Sequence, residues 1–142
     1  MDKQALLQKF VAFTTAVHRT THDFTKGIQL DDVTPIQYKM LEYIAVSQPV
    51  TLSSISDCVH MSMPNTSREL KKLSDKQLCE KTAAADDRRK QMIRLSEKGQ
   101  ALMDGAFGQM IAEVDQRVGD LSEEQLKEIE HALDLLQRHI FY

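Results

Sequence analysis

Residues 51–76 read TLSSISDCVHMSMPNTSRELKKLSDK, and this stretch decides the architecture. Thr51 is a suitable N-cap for a short helix running through Ile55 to Val59. Ser62 caps the next helix, with Pro64 tolerated in its first turn. Leu70 and Leu73 are its inward residues. Two short helices separated by a few residues have helix-turn-helix spacing. After Lys76, Leu78–Ala83 and Gln91–Leu95 read as two short strands. The segment Ala84-Ala85-Asp86-Asp87-Arg88-Arg89-Lys90 between them is a polar, basic hairpin tip. A helix-turn-helix followed by such a hairpin predicts a winged helix-turn-helix.

Longer helices flank this unit. Leu6, Phe10, Phe13 and Val17 recur at helical spacing, widened by Ala5, Leu7 and Val11, so a first helix is expected from about Lys3 to Lys26. Gly27 is its natural stop. Thr34-Pro35-Ile36-Gln37 combines an N-cap Thr, a Pro at N1 and a Gln at N3, a capping box with a pre-set first turn. The helix it opens carries Ile36, Met40, Leu41 and Ile44 and should end before Pro49. Ser96 opens a further helix striped with Leu102, Met103, Phe107, Met110, Ile111, Val114 and Val118. Ser122-Glu123-Glu124-Gln125 is a second capping box, followed by Leu126, Ile129, Leu133, Leu136 and Ile140. A central module of about fifty residues cannot cover this much apolar stripe. Packing terminal helices across a two-fold axis is the economical solution. The expected fold is mainly α with a small two- to three-stranded β wing. Residues 1–30 and 100–142 are read as dimerisation helices, and 31–99 as a winged helix-turn-helix lobe.

Composition narrows the class. The chain has 142 residues, 42% hydrophobic and 27% charged, enough to bury a core. Its two cysteines, Cys58 and Cys79, cannot form a disulfide framework and fit a reducing cytoplasm. No apolar run approaches the roughly 18 residues of a membrane span, and the N-terminus lacks signal-peptide character. The formal charge is −3. That small figure conceals a division: Arg68–Lys98 holds ten basic and six acidic residues, a balance of +4, whereas Gly99–Tyr142 stands at −6. Such asymmetry points to a nucleic-acid-facing module within an acidic body. No phosphate-binding Gly-rich loop, His-Glu-x-x-His or nucleophile elbow is present, so no enzyme and no cofactor are expected.

The stretch Ser62–Leu73, then Asp87-Arg88-Arg89 and Leu95-Ser96-Glu97-Lys98-Gly99, resembles the MarR family of transcriptional regulators. The opening Thr34-Pro35-Ile36-Gln37, with Leu41 following, is similar to that family's second helix. The resemblance covers essentially the whole chain in length and element order. It implies a winged-helix homodimer on palindromic double-stranded operator DNA, usually a repressor relieved by an anionic phenolic ligand, an oxidant or a metal. Two residues depart from the pattern. Gln77 stands where the family often has Gly, so the turn there is expected to take another form. Glu69 sits in the recognition helix, where it should turn from DNA or pair with Lys72 or Lys76.

On the fourth helix, Asn65, Arg68 and Lys72 fall on or beside the face opposite Leu70 and Leu73, with Pro64, Ser67 and Lys71 next to them. Asn pairs bidentately with adenine and Arg with guanine in the major groove. Hydroxyls of Ser62, Thr66 or Ser67 can hold phosphate, and Lys71, Lys72 and Lys76 supply sequence-independent charge. The resemblance places Arg89 in the minor groove, steadied by Asp87, with Arg88 and Lys90 on the backbone. A narrow A/T groove attracts a guanidinium. The resemblance also puts the effector site between the dimer helices and the lobe, where Phe13, His18, His22, Tyr38 and Met61 are candidates by position. His18 and His22 have i, i+4 spacing, yet no acidic residue beyond Asp23 completes a metal shell, so no metal site is expected. Cys58 and Cys79 are read as structural, Cys58 at a packing position. The alternatives are a metal- or redox-responsive regulator, or a protein-binding adaptor without DNA affinity.

Overall fold

The computed structural model describes residues 1–142 except Gln29 and Asp31. In chain order they form α1 (Lys3–Thr25), α2 (Pro35–Ser47), α3 (Leu52–Val59), α4 (Met63–Asp75), β1 (Cys79–Ala83), β2 (Gln91–Leu95), α5 (Glu97–Val118) and α6 (Glu123–His139). The caps explain where the helices begin. At α2 the Thr34 hydroxyl accepts the Gln37 N–H at 3.3 Å, and Gln37 Oε1 accepts the Thr34 N–H at 3.2 Å. Ser122 and Gln125 repeat this reciprocal arrangement at α6. A third capping box opens α3, where Ser54 takes the Glu/Gln role opposite Thr51.

The chain divides into two compact units, Ile28–Gly108 and a terminal unit of Met1–Gly27 with Gln109–Tyr142. Met103, read as part of the C-terminal apolar stripe, is buried, as is Ala106. Met103 packs in the lobe's core cluster. The expected start of the lobe, position 31, lies outside the described residues.

The lobe is built around Met40, Leu41 and Ile44 of α2, Ile55 and Val59 of α3, and Leu70 and Leu73 of α4. Leu78, Cys79, Ile93, Leu95 and Met103 complete the cluster. The wing is two antiparallel strands in the register Cys79↔Leu95 to Ala83↔Gln91. The possible third strand is reduced to one residue: Val50 exchanges both backbone hydrogen bonds with Ile93, at 3.0 and 2.7 Å. The turn between α4 and β1 keeps a left-handed residue, Gln77 at φ 62, so it does not take the different form expected of a non-glycine. It is strapped to the start of α5. The Ser96 hydroxyl donates to the Gln77 carbonyl at 2.5 Å, and the Ser96 N–H donates to the Leu78 carbonyl at 3.0 Å.

The terminal unit has a different character. Neither α1 nor α6 contains a buried residue. Phe10 stacks on Phe141 with ring centroids 5.7 Å apart. Arg117 of α5 lies 3.7 Å from the Asp23 carboxylate and 5.3 Å over the Phe24 ring. No helix among the described residues is long and apolar enough to cross a membrane.

Candidate nucleic-acid interface

Helix α4 begins at Ser62, whose hydroxyl accepts the Asn65 N–H at 3.2 Å. From this start the helix presents Pro64, Asn65, Arg68, Lys71 and Lys72 to solvent, with Ser67 half-buried. Thr66 is a correction to the expected contact set. It is fully buried, and its hydroxyl donates to the Ser62 carbonyl at 2.8 Å. The reason is periodicity: Thr66 precedes Leu70 by four and Leu73 by seven, so it shares their inward stripe.

The exposed side chains are less independent than their spacing implied. Arg68 Nη2 donates to Asn65 Oδ1. An adenine needs that same oxygen for bidentate pairing, so the intramolecular bond must open before Asn65 reads a base in that way. Lys72 Nζ donates to Glu69 Oε1 at 3.1 Å, as expected for that carboxylate. Gln37 Nε2 donates to the other oxygen, Oε2, at 3.0 Å. The bond from Gln37, followed by that from Lys72, holds the Glu69 carboxyl below its ordinary value of 4.5. Lys71 lies 4.0 Å from Asp75 in an exposed pair of little energetic weight. Lys76 donates to Gln37 Oε1 at 3.0 Å and to the Asp32 carbonyl, so its charge is tied inward.

At the wing, the Asp87 carbonyl accepts the Lys90 N–H at 3.1 Å, closing a turn whose central residues are Arg88 and Arg89. The Asp87 carboxylate accepts the Arg89 backbone N–H at 2.9 Å. Asp87 therefore steadies Arg89 through the main chain, as an Asx turn, rather than by gripping its guanidinium. The Ala84 N–H donates to the Lys90 carbonyl at 2.8 Å and closes the base of the tip. Asp87, Arg88, Arg89 and Lys90 are all exposed, and Glu80 faces Arg94 directly across the strands.

The five residues expected to line an effector site fall in different places. Phe13 and His18 line an apolar cleft of about 790 Å³ between α1 and α6, with Val17, Leu133, Leu136 and Phe141. His22 is exposed in the last turn of α1 and is not among the lining residues. Met61 instead borders a groove on the recognition face with Asn65, Arg68, Glu69 and Lys72. Tyr38 packs half-buried against the lobe core, and burial, with Glu42 beside it, pushes its phenol up to about 12.

The cysteines also separate. Cys79 is buried, and burial pushes its thiol up to about 12. Cys58 is exposed, against the expectation of a packing position. On the two-turn α3 the inward side is taken by Ile55, Ser56 and Val59, which leaves Cys58 outside. Among the described residues, no three His, Cys, Asp or Glu side chains converge to hold a metal ion. Gln37 is the site residue that sequence reasoning undervalued: its cap was visible, whereas its reach to α4 was not.

Comparison with known proteins agrees with this geometry. Residues 31–90 match the sequence model of the MarR family. The HTH-type transcriptional regulator MhqR of Bacillus subtilis is 26% identical over 132 residues, covering 93% of this chain and 89% of that protein. Among solved structures, Streptococcus pneumoniae FabT in complex with DNA superposes with a TM-score of 0.61 at 20% identity, over 96% of each chain. Staphylococcus aureus MepR bound to ethidium bromide does so at 0.60 and 25% identity, over 90% of this chain and 93% of that one. The winged lobe thus matches the MarR family of transcriptional regulators at residues 31–90, and the chain is similar to a helix-turn-helix transcriptional regulator over 93% of its length.

Proposed function

We propose that this regulator acts as a homodimeric, ligand-responsive repressor in the cytoplasm, binding a pseudo-palindromic double-stranded operator. The observation that carries the DNA-binding mode is the wing turn, in which Asp87 fixes the backbone so that Arg88 and Arg89 occupy the exposed tip. A guanidinium held there suits a narrow minor groove, while Arg68 and Asn65 on α4 suit base edges in the major groove. Ser62, Pro64, Ser67, Lys71, Lys72, Arg88 and Lys90 supply backbone contacts around them. Solved structures of similar fold support this reading, one of them in complex with DNA.

For the effector, the reading is a small aromatic anion. Phe13 and His18 share the α1/α6 cleft and offer it an aromatic wall and an imidazole. MepR, which has a similar fold, has been solved bound to ethidium bromide, an aromatic cation, and so bears on the aromatic wall alone.

The test is a gel-shift titration on the DNA upstream of the protein's own coding sequence. Arg89→Ala should weaken binding at least about tenfold, or 1.4 kcal/mol, with an unchanged circular dichroism spectrum. Equal affinity of the variant and the native protein would remove the wing from the interface.

A further inference from the structure

Glu69 of α4 and Lys76, the C-cap residue of that helix, stand about two helical turns apart, and one side chain from another helix bridges them. Gln37 of α2 is 2% exposed. Its Nε2 donates to Glu69 Oε2 at 3.0 Å, and its Oε1 accepts from Lys76 Nζ at 3.0 Å. The amide dipole matches both partners, with N–H toward the carboxylate and carbonyl toward the ammonium. The same Oε1 accepts the Thr34 N–H at 3.2 Å and completes the α2 cap. Lys76 reaches on to the Asp32 carbonyl, and Glu69 holds Lys72 at 3.1 Å. Hydrogen bonds to charged groups are strong and directional, more so when sheltered from water.

Two anchors separated by seven residues lie about 10 Å apart along a helix rising 1.5 Å per residue. A single anchor would let α4 turn or slide about that point. Two anchors on one rigid, buried amide oppose both motions. Arg68 directly precedes Glu69, so any rotation that moves the clasped face also moves the tip of Arg68. We propose that Gln37 is a positioning residue for DNA recognition: by clasping Glu69 and Lys76 it sets the rotation of α4, and so controls discrimination between sequences more than total affinity. This rests on the DNA-binding reading above.

Gln37→Glu isolates the clasp from the cap. Glu serves equally at the N3 position of a capping box, and it still accepts from Lys76, but it sets a carboxylate against Glu69. The double variant Gln37→Glu/Glu69→Gln reverses donor and acceptor and restores the bond. The probes are a duplex selected by the native protein from a randomised pool and a scrambled duplex of the same composition. Measured at one salt concentration, the selected-over-scrambled affinity ratio should fall about tenfold in Gln37→Glu, the size of one lost base contact. The double variant should return to within about threefold of the native ratio, well inside that loss. A native ratio in Gln37→Glu overturns the proposal, as does a double variant no better than the single one. If circular dichroism shows Gln37→Glu unfolded, the double variant decides alone: refolding with discrimination supports the clasp, and its failure overturns it. A native protein that selects no duplex overturns the DNA-binding reading itself, and this inference with it.

Discussion

Burial sets the two thiols apart. Cys58 is open to solvent, whereas Cys79 is enclosed and burial pushes its thiol up to about 12. Since the thiolate is the reactive species, iodoacetamide at pH 8 should modify Cys58 and spare Cys79 in the folded protein. Mass spectrometry should show a single adduct before denaturation and a second after it. An adduct at Cys79 in the folded state would contradict its enclosure. Gln77 carries a different cost, because a side chain at φ 62 is disfavoured by about 1 kcal/mol relative to glycine. Gln77→Gly should therefore raise the melting temperature in a thermal scan. A lower value would mean that the Gln77 side chain contributes packing that outweighs its backbone strain.

The start of α5 depends on close backbone approach. A Cβ built on Gly99 would lie 2.0 Å from the Leu78 carbonyl oxygen, a main-chain atom that cannot swing aside. The Gly99 N–H also donates to the Ser96 hydroxyl at 2.9 Å, and Lys98 Nζ reaches the Lys76 carbonyl at 3.2 Å. The Leu-Ser-x-x-Gly motif is thus the joint that ties the wing's first strand and the end of α4 to α5. Gly99→Ala should cost about 2–3 kcal/mol through this overlap, read as a lower urea midpoint. Gly105 in the same helix makes the control, since its Cβ would meet nothing within 4 Å. Gly105→Ala should leave stability equal or raise it by up to about 1 kcal/mol. Equal behaviour of the two substitutions would exclude the joint.

For the molecule as a whole, the unsatisfied surface is the apolar side of the terminal helices. Leu7 and Val11 of α1 are more than half exposed, as is Leu133 of α6 at 58%. Monomeric proteins rarely leave so much contiguous apolar surface in water. A second copy would cover it, and the folded dimer would then melt at a temperature that rises with protein concentration. Leu133→Asp should abolish that dependence and sediment as a monomer at micromolar concentration, while the lobe retains its own core. An unchanged dimer would place the interface elsewhere. Whole-chain charge misleads here for a related reason. The −3 is the sum of −1 over residues 1–67, +4 over Arg68–Lys98 and −6 over Gly99–Tyr142, and the cationic side chains among the proposed DNA contacts all lie in the second of these.

Much of the architecture is local, and local interactions are legible in a chain. A capping box closes within four residues, so Thr34 with Gln37 and Ser122 with Gln125 announced the starts of α2 and α6. Helical periodicity did the same for the core residues Leu70 and Leu73. The buried state of Thr66 was legible too, from its spacing to Leu70, but its hydroxyl invited a polar role. Other features join distant positions and have no near-neighbour signature. Gln37 meets Glu69 across 32 residues, and Lys76 meets Asp32 across 44. Likewise, the exposure of Cys58 depends on which neighbours cover each face of α3, and the place of Met61 on how the α3–α4 connection packs. Short-range hydrogen bonds are encoded by adjacent residue types. Which face is covered, and which charges are thereby tied down, depends on packing between elements far apart in the chain.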